Sequence, residues 1–125
     1  ATPEIHCIDT QNPSANWIKK DSLTGNPLTG NDLTKGVTHG GFVVVGTKFY
    51  MCGGYLGGHP GPAINDCFFY DHSKPSGQQI TYFTSIPEDR AGGGMLYDTA
   101  NDILIFSAGA STSFACPSCT RAHTS

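Results

Sequence analysis

Charge is scarce in this 125-residue chain: seven Lys plus Arg and ten Asp plus Glu make up only 14% of it, for a formal net charge of −3. Lys19-Lys20 is the one adjacent basic pair, so there is no basic footprint for a phosphate backbone and no nucleic-acid partner is expected. Long apolar runs are missing too. No stretch approaches the roughly 18 residues that would cross a bilayer, so no membrane span is expected. The chain opens at Ala1-Thr2-Pro3 without an initiator methionine or a secretory leader, which predicts a processed product. It also lacks a standard Asn-x-Ser/Thr acceptor: Asn12-Pro-Ser14 is blocked by its proline, and Asn65-Asp-Cys67 is a rare variant. Any glycan is expected on Ser or Thr, with Ser111-Thr-Ser113 the richest patch.

Glycine and proline are plentiful, at 16 and 8 residues. Inside a helix they cost about 1 and about 3 kcal/mol respectively, so the composition favours many turns and few helices. The apolar residues fall into short runs, which sets the chain apart from disordered sequences. An all-β fold with long loops follows. Five cysteines in so short a chain point to an oxidising, extracellular setting. Because five is odd, at least one is free or pairs outside the chain. Cys116-Pro-Ser-Cys119 has a spacing that admits a structural disulfide, a redox pair or half a zinc site. A zinc site needs two further ligands and only His123 is near; a redox motif needs a βαβ setting that is absent. Structural disulfides are the expected use, and no metal site is expected.

Turn signals and alternation divide the chain into short strands. Glu4 to Asp9 and Asn16 to Lys20, centred on Trp17, are two; residues 21–36 are a polar loop. Gly41 to Gly46 and Thr47 to Cys52 read as a tight hairpin that ends at Gly53-Gly54. The Gly- and Pro-rich segment Tyr55 to Asp66 is a loop. Cys67 to Asp71 and Gln79 to Thr84 are strands, and so are Gly94 to Tyr97 and Ile103 to Ser107. The pattern repeats: Gly40 to Gly54 resembles Gly92 to Gly109, with Gly54 and Gly109 55 residues apart. Cys7-Ile-Asp9 with Trp17 resembles Phe69-Tyr-Asp71 with Tyr82. Four strands repeating at a spacing near 50 are the mark of propeller blades.

Gly53-Gly54 closing a second strand, Tyr70-Asp71 closing a third, Tyr82 or Phe83 in a fourth, then Pro87 and Arg90, resemble one full repeat of the kelch family. Asp9 and Trp17 resemble the tail of a preceding blade, and Ala91 to Gly109 the front of a following one. The departures are Tyr or Phe where Trp is usual, and Ala108-Gly109 in place of a Gly pair. The resemblance implies about two four-stranded blades of a kelch-type β-propeller: residues 1–36 end one blade and add a long loop, 37–90 form a complete blade, and 91–125 start the next. It implies structural roles for Gly53, Gly54, Tyr70, Asp71, Trp17 and Arg90, with Trp17 filling the space between blades and Arg90 bonding loop carbonyls. It also makes Cys52 and Cys67 neighbours across adjacent strands, hence a disulfide pair, leaving Cys7, Cys116 and Cys119 to pair elsewhere or stay free. A closed propeller has about four to eight blades, so the implied partners are other blades or fragments of the same propeller.

Propellers of this kind mostly present loops to partners, so the expected function is an extracellular protein- or glycan-binding or structural module. Tyr55, His59 and Asp66 are its candidate contact residues, and Tyr55 and Tyr97 its candidate sugar-stacking rings. No cofactor is expected on that reading. The alternative is a copper-radical oxidase of the galactose/glyoxal oxidase type, which uses two His, two Tyr and a Cys cross-linked to Tyr. His6, His39, His59, His72 and His123 supply imidazoles, but that family's adjacent Tyr-His is absent, since His72 follows Asp71. Glu4 and His6 share a strand face and Asp9 falls on the other.

Overall fold

A computed structural model describes residues 1–12, 14–107 and 109–111. Its centre is a four-stranded antiparallel sheet lying within residues 37–90. In sheet order the strands are β4 (Gly41–Val45), β5 (Lys48–Cys52), β7 (Asp66–Asp71) and β8 (Ile80–Ser85). Two hairpins flank it: β1 (Glu4–Cys7) with β2 (Ile18–Ser22), and β9 (Gly94–Asp98) with β10 (Ile103–Ser107). A short pair, β3 (Val37–Thr38) with β6 (Tyr55–Leu56), closes one end. The only helical element among the described residues is a single 3-10 turn, Leu33–Lys35, capped by the Asp32 side chain on the amide of Thr34. The protein is all-β, as its turn-rich composition requires, and no helix among the described residues is long and apolar enough to cross a membrane.

Alternation along the strands gives the central sheet two apolar faces. On one, Met51, Phe68, Ile80 and Tyr82 pack with Leu23, Leu33 and Ile64. On the other, Val43, Tyr50, Cys52 and Cys67 pack with Met95, Leu104 and Phe106. Each flanking hairpin covers only half a face. The β1–β2 unit lies along β7 and β8: Cys7 Sγ is 3.4 Å from the Tyr70 hydroxyl. The Gln79 amide donates to Asp21 Oδ2 at 2.7 Å, and the Thr24 amide donates to the Tyr82 hydroxyl at 2.8 Å. The β9–β10 unit lies along β4 instead, with Met95 and Phe106 crowding Gly41. The uncovered halves keep large apolar side chains in solvent. Phe42 and Val44 on β4 are 60% and 64% exposed, and Phe83 on β8 is also open. The hairpins also expose Trp17, Ile18, Leu96, Ile103 and Ile105.

The internal repeat extends to the hydrogen-bond register. Glu4 pairs with Ser22, Ile5 with Asp21, His6 with Lys19 and Cys7 with Ile18, with a one-residue skip between Ile5 and His6. In the central sheet Asp66 pairs with Ser85, Cys67 with Thr84, Phe68 with Tyr82 and Phe69 with Thr81, with the skip between Cys67 and Phe68. Every partner is displaced by 62 residues in the first strand and 63 in the second, and the skip falls at the equivalent place. The β4–β5 and β9–β10 hairpins match likewise: Gly41 opposite Cys52 becomes Gly94 opposite Ser107. This corrects one sequence alignment. Trp17 precedes β2, is 64% exposed and is displaced from Ile80, not from Tyr82. Its indole is open to solvent.

The Tyr-Asp end of β7 has a clear physical task. Asp71 Oδ1 accepts from the Ser73 amide at 3.0 Å, the Ser73 hydroxyl at 2.7 Å and the Thr47 hydroxyl at 3.0 Å. One carboxylate therefore holds its own turn and the neighbouring β4–β5 turn together. Asp9, its counterpart in the preceding hairpin, accepts from the Gln11 amide in the same local manner. The Ser73 donors, followed by Thr47, hold the Asp71 carboxyl below the usual carboxylate range. A depressed folded pKa means that its contribution is present above the unfolded value near 4 and is lost as pH falls through the lower folded value. Asp71→Asn is therefore expected to be less stable than the parent at pH 7. In urea melts the gap should narrow steadily below about pH 4.

β5 leaves the sheet at Gly53 under constraint. The φ of Gly53 is +70°, and a Cβ there would overlap the carbonyl oxygen of Arg90. The left-handed angle alone disfavours other residues by about 1–2 kcal/mol. The close approach matters because the next residue's amide, Gly54 N–H, donates to that same Arg90 carbonyl at 2.7 Å.

Candidate functional site

The loops at the Cys52/Asp66 end of the central sheet are folded back on themselves. Tyr55 bridges to Ala63, the Leu56 amide donates to the Pro62 carbonyl at 2.9 Å, and the Ile64 amide donates to the Gly54 carbonyl at 2.9 Å. Across the β3–β6 pair Thr38 stands opposite Tyr55. This frame brings three rings together. The His39 and Tyr55 centroids are 5.4 Å apart, Tyr55 and His59 5.1 Å, and His39 and His59 5.8 Å. Tyr55 is buried at 5% exposure, while both imidazoles are exposed. The hydroxyl of Thr38, next to His39, is buried with no hydrogen-bond partner among the described residues.

Of the three contact residues expected from sequence, Tyr55 and His59 meet in this cluster and Asp66 does not. Asp66 is the first residue of β7, 1% exposed. Its carboxylate accepts from Asn26 Nδ2 at 2.7 Å, Thr29 Oγ1 at 2.6 Å and Asn31 Nδ2 at 2.7 Å. It anchors the 25–32 loop. Tyr55 is too buried to act as an open stacking platform. The Tyr97 hydroxyl is committed to Asp102 Oδ1 at 2.6 Å. The Gly53 and Gly54 amides donate to the Asp66 and Arg90 carbonyls. Arg90 donates from Nη1 to the carbonyl of Asp89 at 2.8 Å and pairs with the Glu88 carboxylate. Its reach is local, and it is the Arg90 backbone that ties the loops.

Cys52 and Cys67 form a disulfide between directly opposed residues of β5 and β7. Since Cys67 is bonded, Asn65-Asp-Cys67 offers no free thiol at its third position. Cys7 is a free thiol among the described residues. Cys116, Cys119, His123 and residues 112–113 of the Ser-Thr-Ser patch lie outside the described residues.

A second polar group sits at the other end of β7. The Tyr70 hydroxyl contacts Cys7 Sγ, lies 2.9 Å from His72 Nδ1 and accepts from Gln79 Nε2 at 3.0 Å. Burial, then the Cys7 contact, raises its pKa well above the usual phenol range. Beside it a groove of about 400 Å³ is lined by Glu4, Ile5, His6, Cys7, Phe49 and Tyr70. As the strand alternation predicts, Glu4 and His6 are together, His6 Nε2 lying 3.2 Å from Glu4 Oε1. His6, followed by Lys19, holds the Glu4 carboxyl below the usual range. The copper-radical set of two His, two Tyr and a Cys–Tyr pair is not assembled among the described residues. His39, His59 and Tyr55 stand at one end of the sheet, and Cys7 and Tyr70 at the other. No three His, Cys, Asp or Glu side chains converge on one point among the described residues.

No family model matches the chain, and no curated protein matches it in sequence.

His39 was one of five histidines in the sequence, with nothing in its immediate neighbours to single it out. The signal was in the repeat. The position 53 residues on is Gly92, and both residues have positive φ, +60° for His39 and +75° for Gly92.

Proposed function

We propose that the chain is a segment of a kelch-type β-propeller, offset by half a blade, that serves outside the cell as a protein- or glycan-binding module. The observation that carries this reading is the repeated register. A hairpin equivalent to β7–β8 precedes the central sheet, and one equivalent to β4–β5 follows it, each stacked on its own counterpart. Each covering hairpin has two strands against the four of the central sheet, which leaves room on each face for a second hairpin. The exposed side chains there, Phe42 and Val44 on one face and Phe83 on the other, are apolar, as blade-to-blade packing demands. Open edges on β1 and β10 add unpaired backbone donors and acceptors that neighbouring strands would satisfy. The Cys52–Cys67 disulfide supports an oxidising, extracellular setting.

The binding role rests on the loop end, where His59 of the 53–65 segment and His39 beside β3 present two exposed imidazoles next to the buried Tyr55 phenol. Sedimentation of the chain on its own, with a dye for exposed apolar surface, tests the propeller reading. Self-association and strong dye binding are the expected results; a monodisperse monomer that binds no dye would overturn it. A glycan microarray then separates sugar from protein ligands.

A further inference from the structure

We infer that His39 and His59 form a two-imidazole site for a borderline divalent cation of the Zn²⁺ or Ni²⁺ type, with Tyr55 setting their spacing. The first ground is conformational. His39 has a φ of +60°, in the left-handed region that a non-glycine residue enters at a cost. The chain supplies its own control: at the equivalent position of the next repeat the backbone has the same sign of φ and the residue is Gly92. The two positions are also bonded to each other, the Gly92 amide donating to the His39 carbonyl at 2.7 Å. The fold therefore asks for a left-handed residue here, glycine would meet the demand without strain, and histidine occupies it nonetheless. Strain of this kind persists where the side chain has a use.

The second ground is where that side chain goes. It meets His59, from a different loop, at a centroid separation of 5.8 Å and a tilt of 50°. A zinc–imidazole nitrogen bond is about 2.0–2.1 Å, which places the metal roughly 3.2 Å from each ring centre. Two imidazoles at a tetrahedral angle would then have centroids roughly 5.2 Å apart, so the pair is within about half an ångström of the spacing needed. Imidazole suits Zn²⁺ and Ni²⁺ better than hard cations, and among the described residues no carboxylate joins the pair to favour Ca²⁺ or Mg²⁺. Tyr55 contacts both rings edge-on, at 5.4 and 5.1 Å, and acts as a positioning residue. With two protein ligands, the remaining coordination positions are open to water or to an acceptor group of a bound partner. The site does not depend on the propeller reading.

The test is a Zn²⁺ titration of the chain after its free thiols are capped, followed by competition with a chromogenic chelator and repeated with Ni²⁺. One saturable site is expected. His39→Gly takes the residue found in the next repeat, so it should fold, with a melting temperature equal to or above the parent's, while its Zn²⁺ affinity falls roughly tenfold or more. His59→Ala should fall likewise, and His6→Ala and His72→Ala should bind as the parent does. Absence of saturable binding, or binding that survives in His39→Gly/His59→Ala but is lost in His6→Ala or His72→Ala, would overturn the proposal. Circular dichroism of each variant separates lost ligands from lost fold.

Discussion

Asp66→Ala is expected to destabilise the protein by about 3 kcal/mol or more, measured as the loss of unfolding free energy in urea. The side chain is 1% exposed and accepts three hydrogen bonds from the 25–32 loop. Truncation leaves those donors facing a dry gap, and an unsatisfied buried polar group costs about 1–3 kcal/mol. Asn26 is itself 2% exposed and cannot turn to water, because its Oδ1 already accepts from the Leu28 amide at 2.9 Å. Asn26 Nδ2 and Thr29 both address Oδ2 while Asn31 addresses Oδ1. Asp66→Asn must therefore set an amide donor against existing donors on one side. It should cost less than the alanine variant but clearly more than zero, about 2 kcal/mol. If Asp66→Asn proves neutral, the loop is not built around this carboxylate.

That network also marks the limit of what the sequence could reveal. Strand positions were legible because apolar alternation and turn residues are local signals: Gly41 to Cys52, Cys67 to Asp71 and Ile103 to Ser107 fall in strands close to the expected bounds. The buried destination of Asp66 was not legible. It depends on three partners some 35 to 40 residues upstream, inside a polar stretch that reads as plain loop. Its place at the end of a Gly- and Pro-rich segment made it look like a surface residue. Trp17 misled for the opposite reason. An aromatic beside a strand is normally a core residue and looks like the counterpart of Tyr82, but the register displaces it onto Ile80, and the indole is exposed. Tyr55 and His59 were found from loop composition, while His39 needed the backbone angle that only the fold supplies.

The Cys52–Cys67 bond gives the last expected result: reduction, or the double variant Cys52→Ala/Cys67→Ala, should lower stability by about 3 kcal/mol while leaving the β-sheet circular dichroism intact. The bond spans 15 residues, and closing a loop of that length restricts the unfolded chain by about 3 kcal/mol. The retained fold is expected because the repeats manage without the bond. Ile5 and Ser107 occupy the positions equivalent to Cys67 and Cys52, and both lie in ordered hairpins of the same register. The disulfide therefore adds stability to a sheet whose pairing is set by other contacts. The segment it encloses carries Tyr55 and His59, so its loss should also loosen the ring cluster and weaken Zn²⁺ binding, while the Asp71 turn at the far end is unaffected. Collapse of the sheet signal on reduction would show instead that β5 and β7 depend on the bond for their pairing.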